Sequence, residues 1–214
     1  MRRQLASDGY LVLPNSMDLP ALAALEEEIG SLFDAFDDLP AGVPKRLSRT
    51  GRDALEVNHL FTLLPALLGG LVVARIGEVC AEVLGGPVRM VYAHAILKPA
   101  HGGAAVLAHQ DIAYDGDDTN GTDRYTVWLP FRDTSVDSGT LFYFTGSHRA
   151  GGRPHRLEDG VRSVIRRPRT FWGPKAARIS RGGFALHSSA IVHGSYPNKS
   201  DRARLAMSLR LRAG

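Results

Sequence analysis

Residues 88–114 read VRMVYAHAILKPAHGGAAVLAHQDIAY, and two features of this stretch decide what fold to expect. The first is texture. Runs rich in Val, Ile, Leu and Tyr are cut by Pro99 and by the Gly102–Gly103 pair, the pattern of strands joined by turns. Along the first run Tyr92, His94, Ile96 and Lys98 alternate onto one face. The second feature is the spacing of His109 and Asp111. In a strand, positions i and i+2 point the same way, so an imidazole and a carboxylate would meet at one point. Such a pair is either a buried hydrogen-bonded couple or two-thirds of a metal site.

Toward the C-terminus the same texture continues in RYTVWLPFRD (124–133), GTLFYFTGSH (139–148), FALHSSAIVHG (184–194) and RLAMSLRLR (204–212). Toward the N-terminus it gives way to helical spacing. After a short strand over Gly9–Leu13, Asp18 caps LPALAALEEEIGSLFDAF, whose Leu19, Leu22, Leu25, Ile29, Leu32 and Phe33 fall on one face. Residues 39–58 hold prolines and glycines without a period and read as a long loop. A second helical region runs from about Pro65 to Leu84 and stops at Gly85–Gly86–Pro87. Helices followed by many short strands predict an α+β, mainly β chain whose second part is a sandwich or jelly roll. With no linker-like boundary, residues 1–214 read as one domain: a helical N-terminal part over 1–87 and a β core over 88–214.

Composition narrows the function. A chain of 214 residues, 44% hydrophobic and 22% charged, can bury one sizeable core. The net charge of +4 comes almost wholly from arginine, since the lysines are Lys45, Lys98, Lys175 and Lys199. The densest cluster, RSVIRRPR (162–169), reads as a solvated loop or strand edge, so no nucleic-acid partner is expected. No apolar run approaches the roughly 20 residues of a membrane span. Ser7, Asp8 and Gly9 interrupt the basic N-terminus before a leader could form, and a cytoplasmic location is the expectation. The single cysteine, Cys80, excludes an internal disulfide and a cysteine-rich zinc site. Nothing in the sequence sets the number of subunits.

The histidines that have company carry the chemistry. His193 lies in IVHGSYPN, where a strand-like run meets a turn. With His109 and Asp111 it would complete a two-histidine, one-carboxylate set, which suits Fe(II) and leaves coordination positions open. Arg204 lies near the start of the last run and shares a face with Ala206, Ser208 and Arg210. An arginine entering a barrel needs a partner, and a dicarboxylate cosubstrate would supply one. Alternatively, it is one more surface arginine beside Arg202, Arg210 and Arg212.

The elements HQDIAY (109–114), TVWLPFRDTSVDSGTLFYFTGSHRAG (126–151) and HGSYPNKSDRAR (193–204) resemble the phytanoyl-CoA dioxygenase family of Fe(II)- and 2-oxoglutarate-dependent oxygenases. The opening DGYLVLPNSMDLPALAALEEEI (8–29) is similar to that family's N-terminal segment. The resemblance implies a double-stranded β-helix, a cupin-like jelly roll, with N-terminal helices packed against it. It implies iron held by His109, Asp111 and His193. It places 2-oxoglutarate at Arg204, with Ser195 at the same end and Thr126 and Trp128 lining the site. The chain departs from the family pattern at Ser138–Gly139, Thr145–His148 and Gly182–Gly183, all turn positions.

The activity so implied is oxidation by O2, foremost hydroxylation, of a C–H bond in a small metabolite such as a biosynthetic intermediate, with release of succinate and CO2. Tyr92, His94 and Lys98 on the first strand would contact the substrate. The segment 45–60, with Arg46, Arg49, Arg52, Asn58 and His59, would be its lid, Asn58 and His59 touching substrate. Two other readings stay open on the residues alone: a cupin-like metal enzyme without 2-oxoglutarate, and a non-catalytic barrel that binds a ligand.

Overall fold

The structure is a computed structural model that describes residues 1–47, 54–114, 123–158, 161–164 and 173–214. Helix α1 (Arg2–Asp8), strand β1 (Tyr10–Leu13) and helix α2 (Leu19–Asp34) open the chain. Strands β2 (Pro44–Leu47) and β3 (Ala54–Val57) precede helices α3 (Leu60–Leu63) and α4 (Leu71–Leu84). The remaining elements are strands: β4 (Val88–Lys98), β5 (Val106–His109), β6 (Arg124–Pro130), β7 (Leu141–Tyr143), β8 (His155–Glu158) and β9 (Val161–Val164). Strands β10 (Lys175–Ala176), β11 (Phe184–Ser188), β12 (His193–Ser195) and β13 (Arg204–Ala213) follow.

Two sheets form the jelly roll. The major sheet runs β1-β11-β6-β13-β4-β3-β2 and the minor sheet β10-β7-β12-β5, with β8 and β9 paired separately. Its period-two alternation gives the major sheet two distinct faces. Val127, Leu129, Met207 and Leu209 point outward and join Leu22, Ile29, Ile76 and Cys80 of α2 and α4 in the main core. Trp128, Ala185 and Ala206 point inward, against Leu141, Tyr143, Ile179 and Ile191. The site lies on that inner face.

Local chemistry accounts for the helices. The Asp18 carboxylate accepts from the Ala21 N–H at 2.9 Å and so caps α2. α4 ends where Gly85 takes a left-handed conformation (φ 77°) and both Gly85 and Gly86 donate to the Ala81 carbonyl. The helical region expected over 65–84 is split: a 3₁₀ turn spans Pro65–Gly69, and extended Gly70 separates it from α4.

The expectation of a long loop over 39–58 is corrected. β2 and β3 pair antiparallel and extend the major sheet, with Leu55 opposite Leu97 and Val57 opposite Ala95 of β4. Each strand is only four residues long and carries charges (Lys45, Arg46, Glu56), as sheet edges do, so no periodicity shows; pairing with β4 supplies the order. Residues 48–53, with Arg49 and Arg52 of the expected lid, lie outside the described residues. The 1–87 part is therefore not simply helical: β1 closes one edge of the major sheet, β3 and β2 the other. Among the described residues no helix is long and apolar enough to cross a membrane.

Candidate active site

β5 and β12 are neighbours in the minor sheet, and their register sets His109 directly opposite His193. The imidazole centroids are 4.3 Å apart. Asp111 reaches the same point by another route than expected. β5 ends at His109, and Asp111 opens a 3₁₀ turn, Asp111–Tyr114, so the two are not alternate residues of one strand. Gln110 pins that transition. Its side-chain amide donates to the carbonyls of Gly151 (2.9 Å) and Ala190 (2.5 Å) and accepts from the Arg153 N–H (2.8 Å). The sequence reading gave Gln110 no part; its only signal is its place between two ligand-type residues.

The outcome is a convergent donor set. Asp111 Oδ1 lies 3.6 Å from His109 Nε2 and 3.8 Å from His193 Nε2, and the three donor atoms all fall within 4.8 Å of one another. In both histidines Nδ1 faces a backbone carbonyl, Leu107 at 2.8 Å and Ile191 at 3.1 Å. An Nδ1–H donating there leaves the Nε2 lone pair aimed inward, the tautomer a metal needs. Burial holds the His193 pKa well below its usual value, aided by neighbouring His109, which favours the neutral ring. Burial works against charge on Asp111 too. The neighbouring His193, His109 and His187 rings outweigh it, and the carboxyl stays well below the usual carboxylate range. Thr126 donates to Asp111 Oδ2 at 2.6 Å, and His187 Nε2 lies 3.3 Å from the same oxygen. Tyr143, its hydroxyl 3.0 Å from His187 Nδ1, completes that chain.

At one end of the cavity stands a second constellation. Arg204 is 5% exposed, its guanidinium lies over the Trp128 ring at 5.4 Å, and its Nε is buried without a hydrogen-bond partner. Burial lowers its pKa to about 9, so it is still cationic at neutral pH. Lys98, opposite Arg204 in the register, is fully buried and donates to Ser195 Oγ at 2.7 Å and to the Tyr196 carbonyl at 2.5 Å. Two adjacent buried cations, neither with a carboxylate among the described residues, suit an anionic ligand.

The cavity measures about 520 Å3. Its walls include the donor set, Thr126, Trp128, Ser195 and Arg204, and also Asn58, Tyr92 and His94. Two expected substrate contacts are placed elsewhere. Lys98 sits behind Ser195 instead of lining the cavity, because its ammonium is taken up by Ser195 and Tyr196. His59 is exposed outside it, its ring in a T-shaped contact with Tyr92 at 5.5 Å. Arg210 is a correction in the other direction. Classed with the surface arginines, it lines the cavity with its guanidinium over Tyr92 (5.5 Å) and Tyr114 (5.9 Å). Its period-two spacing from Arg204 was the available signal.

A jelly roll with this donor set and this buried cationic end defines the class of mononuclear non-haem Fe(II)- and 2-oxoglutarate-dependent oxygenases. Within that class the chain belongs to the phytanoyl-CoA dioxygenase family, whose model matches residues 5–206. It is 29% identical to an L-proline trans-4-hydroxylase of Streptomyces griseoviridis, the match covering 94% of this chain and 81% of that one. It is also 29% identical to phytanoyl-CoA dioxygenase domain-containing protein 1 of Bos taurus over 54% of this chain, which spans only 42% of that relative's length. Among solved structures it resembles EvdO2 from Micromonospora carbonacea var. aurantiaca (TM-score 0.78, 22% identity, 100% of this chain and 89% of that one). The epimerase SnoN, solved in complex with Fe3+, alpha ketoglutarate and nogalamycin RO, has the same fold (TM-score 0.81, 19% identity, 99% of this chain and 82% of that one).

Proposed function

We propose that this chain, as a single domain over residues 1–214, is an oxygenase that hydroxylates a C–H bond of a small metabolite in the cytoplasm, using Fe(II), 2-oxoglutarate and O2. The observation that carries the reading is the joint geometry of the convergent His109, Asp111 and His193 donors and the buried guanidinium of Arg204, which has no carboxylate partner among the described residues, in one cavity.

The residues fit both groups. His109 and His193 would bind iron through Nε2 and Asp111 through Oδ1, leaving Oδ2 to the Thr126 hydroxyl. Arg204 would take the far carboxylate of 2-oxoglutarate with two parallel N–H bonds, a geometry lysine lacks. Ser195 Oγ, accepting from Lys98, keeps its own proton free to donate to the same carboxylate. Bound there, iron and 2-oxoglutarate would let O2 act as the oxidant that removes hydrogen from carbon, the 2-oxoglutarate being oxidised to succinate and CO2. The protein's own part is to hold its ligands in the right tautomer, to stack Arg204 on Trp128, and to keep the reacting carbon in a largely apolar cavity.

The test is coupled turnover. Given a substrate from a metabolite screen, purified enzyme should form succinate and hydroxylated product in equal amounts, and His109→Ala, Asp111→Ala and His193→Ala should each abolish both. Product without succinate contradicts the reading, as does normal turnover in any of the three variants.

A further inference from the structure

His187 and Tyr143 are fully buried beside the donor set, and neither belongs to it. In the major sheet His187 of β11 stands between Tyr10 of β1 and Thr126 of β6. In the minor sheet Tyr143 of β7 stands opposite His193. The two sheets meet at these residues. The Tyr143 ring stacks on Tyr10, with centroids 4.2 Å apart and planes 16° from parallel. Tyr143 is thus held between the first strand of the chain and the strand that carries a metal donor.

What each atom can offer sets the direction of the hydrogen bonds. Tyr143 Oη lies 3.0 Å from His187 Nδ1, and His187 Nε2 lies 3.3 Å from Asp111 Oδ2. A neutral imidazole carries one N–H and one lone pair. With the proton on Nδ1, the Nε2 lone pair would face a carboxylate oxygen, and the buried Tyr143 hydroxyl would have no acceptor among the described residues. With Tyr143 donating to Nδ1, the proton sits on Nε2 and points at Asp111. Burial and the Asp111 charge raise the Tyr143 pKa well above its usual value, so the hydroxyl keeps the proton it donates. Thr126 Oγ1 donates to the same Oδ2 at 2.6 Å. Oδ2 is thereby filled by donors from β11 and β6. Oδ1 alone turns to the two ligand histidines, 3.6 Å and 3.8 Å from their Nε2 atoms.

We propose that Tyr143 and His187 form a positioning relay for Asp111: Tyr143 fixes the tautomer of His187, and His187 holds Oδ2 so that the carboxylate presents a single oxygen to a metal. The proposal rests on the oxygenase reading above. The reason for such a device is geometric. A carboxylate free to turn would offer both oxygens to one ion, and the second would take a position that the cosubstrate or O2 requires. Donors on Oδ2 from two strands oppose that turn. Both residues act through Asp111, so their loss is read at the metal.

The test titrates the metal-free enzyme anaerobically with Fe(II), and separately with Co(II) as a probe whose visible absorption follows coordination number. By calorimetry His187→Phe should bind both metals about 10- to 100-fold more weakly, the usual effect of losing such an outer partner. Tyr143→Phe should cost less, about two- to tenfold, as one neutral hydrogen bond does. In the His187→Phe background Tyr143→Phe should cost less than about twofold, because the relay is already cut. His187→Phe should also shift the Co(II) band. His187→Gln, whose amide N–H depends on no tautomer, should restore most of the affinity and the wild-type band. A merely structural role would lower the melting temperature and leave the band in place. Should His187→Phe not fold, His187→Gln becomes the background, and Tyr143→Phe should again cost less than about twofold there. Wild-type affinity and band in His187→Phe overturn the proposal, as do equal losses from Tyr143→Phe in both backgrounds and a Gln variant no better than Phe. A wild-type enzyme that binds neither metal contradicts the oxygenase reading itself, and the proposal falls with it.

Discussion

Lys98 and Arg204 show how far a single residue can set function against stability. Neither finds a carboxylate among the described residues, so the folded protein bears their desolvation without an ion pair to offset it. Truncating one partner of a buried charged pair costs about 2–5 kcal/mol, so Arg204→Leu should weaken 2-oxoglutarate binding by at least about thirtyfold. Arg204→Lys should recover only part of the loss, and calorimetry with Fe(II)-loaded enzyme reads both. Lys98→Met makes the opposite trade. Burial, with Arg204 nearby, holds the Lys98 pKa well below 10.5. A basic group depressed on folding costs stability most at low pH, and that cost fades as the pH rises through 10.5. The Met variant should thus be more stable than the wild type at neutral pH, by on the order of 1 kcal/mol. Its advantage should shrink toward pH 10.5 in denaturant titrations, and its 2-oxoglutarate affinity should fall because Ser195 loses its donor. An advantage that grows with pH would refute this account of Lys98.

At the scale of elements, the site depends on how closely β5, β12 and β7 approach. Gly194 of β12 lies between β5 and β7, opposite Phe142, and a Cβ there would meet the Phe142 ring and the Val106 carbonyl, each at 2.6 Å. Gly194→Ala should force β12 away from its neighbours, destabilise the fold by about 1–3 kcal/mol, and weaken iron binding by shifting His193 against His109. Unchanged melting and iron affinity would mean that the minor sheet is softer than described. Elements also differ in how plainly the sequence announces them. β4, β6 and β13 were legible because long alternating runs with turn residues at their ends have few other readings. α2 was legible from Asp18 and its apolar face. β2 and β3 were not, since four-residue edge strands take their order from β4 and not from their own residues. The 3₁₀ turn at Asp111 was hidden for a related reason: Gln110 holds it through Gly151, Arg153 and Ala190, far along the chain.

For the whole molecule, the two-sheet architecture explains why the convergence of His109, Asp111 and His193 was readable and the place of Arg210 on the cavity wall was not. His109, Asp111 and His193 are residue types with few roles when they cluster, and a resemblance in motif spacing places them. Arg210 resembles every other arginine of a basic chain until the register of β13 sets it opposite Tyr92, level with Asp111. His59 was expected to touch substrate as part of the 45–60 segment, but it stands exposed where helix α3 begins and does not line the cavity. On the proposed reading the inner face would hold cosubstrate at the Arg204 end of β13 and metal at mid-cavity, beside His109, Asp111 and His193. The most direct test of that division is an anaerobic titration of the metal-free enzyme with Fe(II) in the presence of 2-oxoglutarate, followed through the weak visible charge-transfer band. The account predicts a band that saturates at one iron per chain, vanishes in His193→Ala, and needs far more 2-oxoglutarate in Arg204→Leu. A band that is absent from the wild type, or indifferent to Arg204, would contradict it.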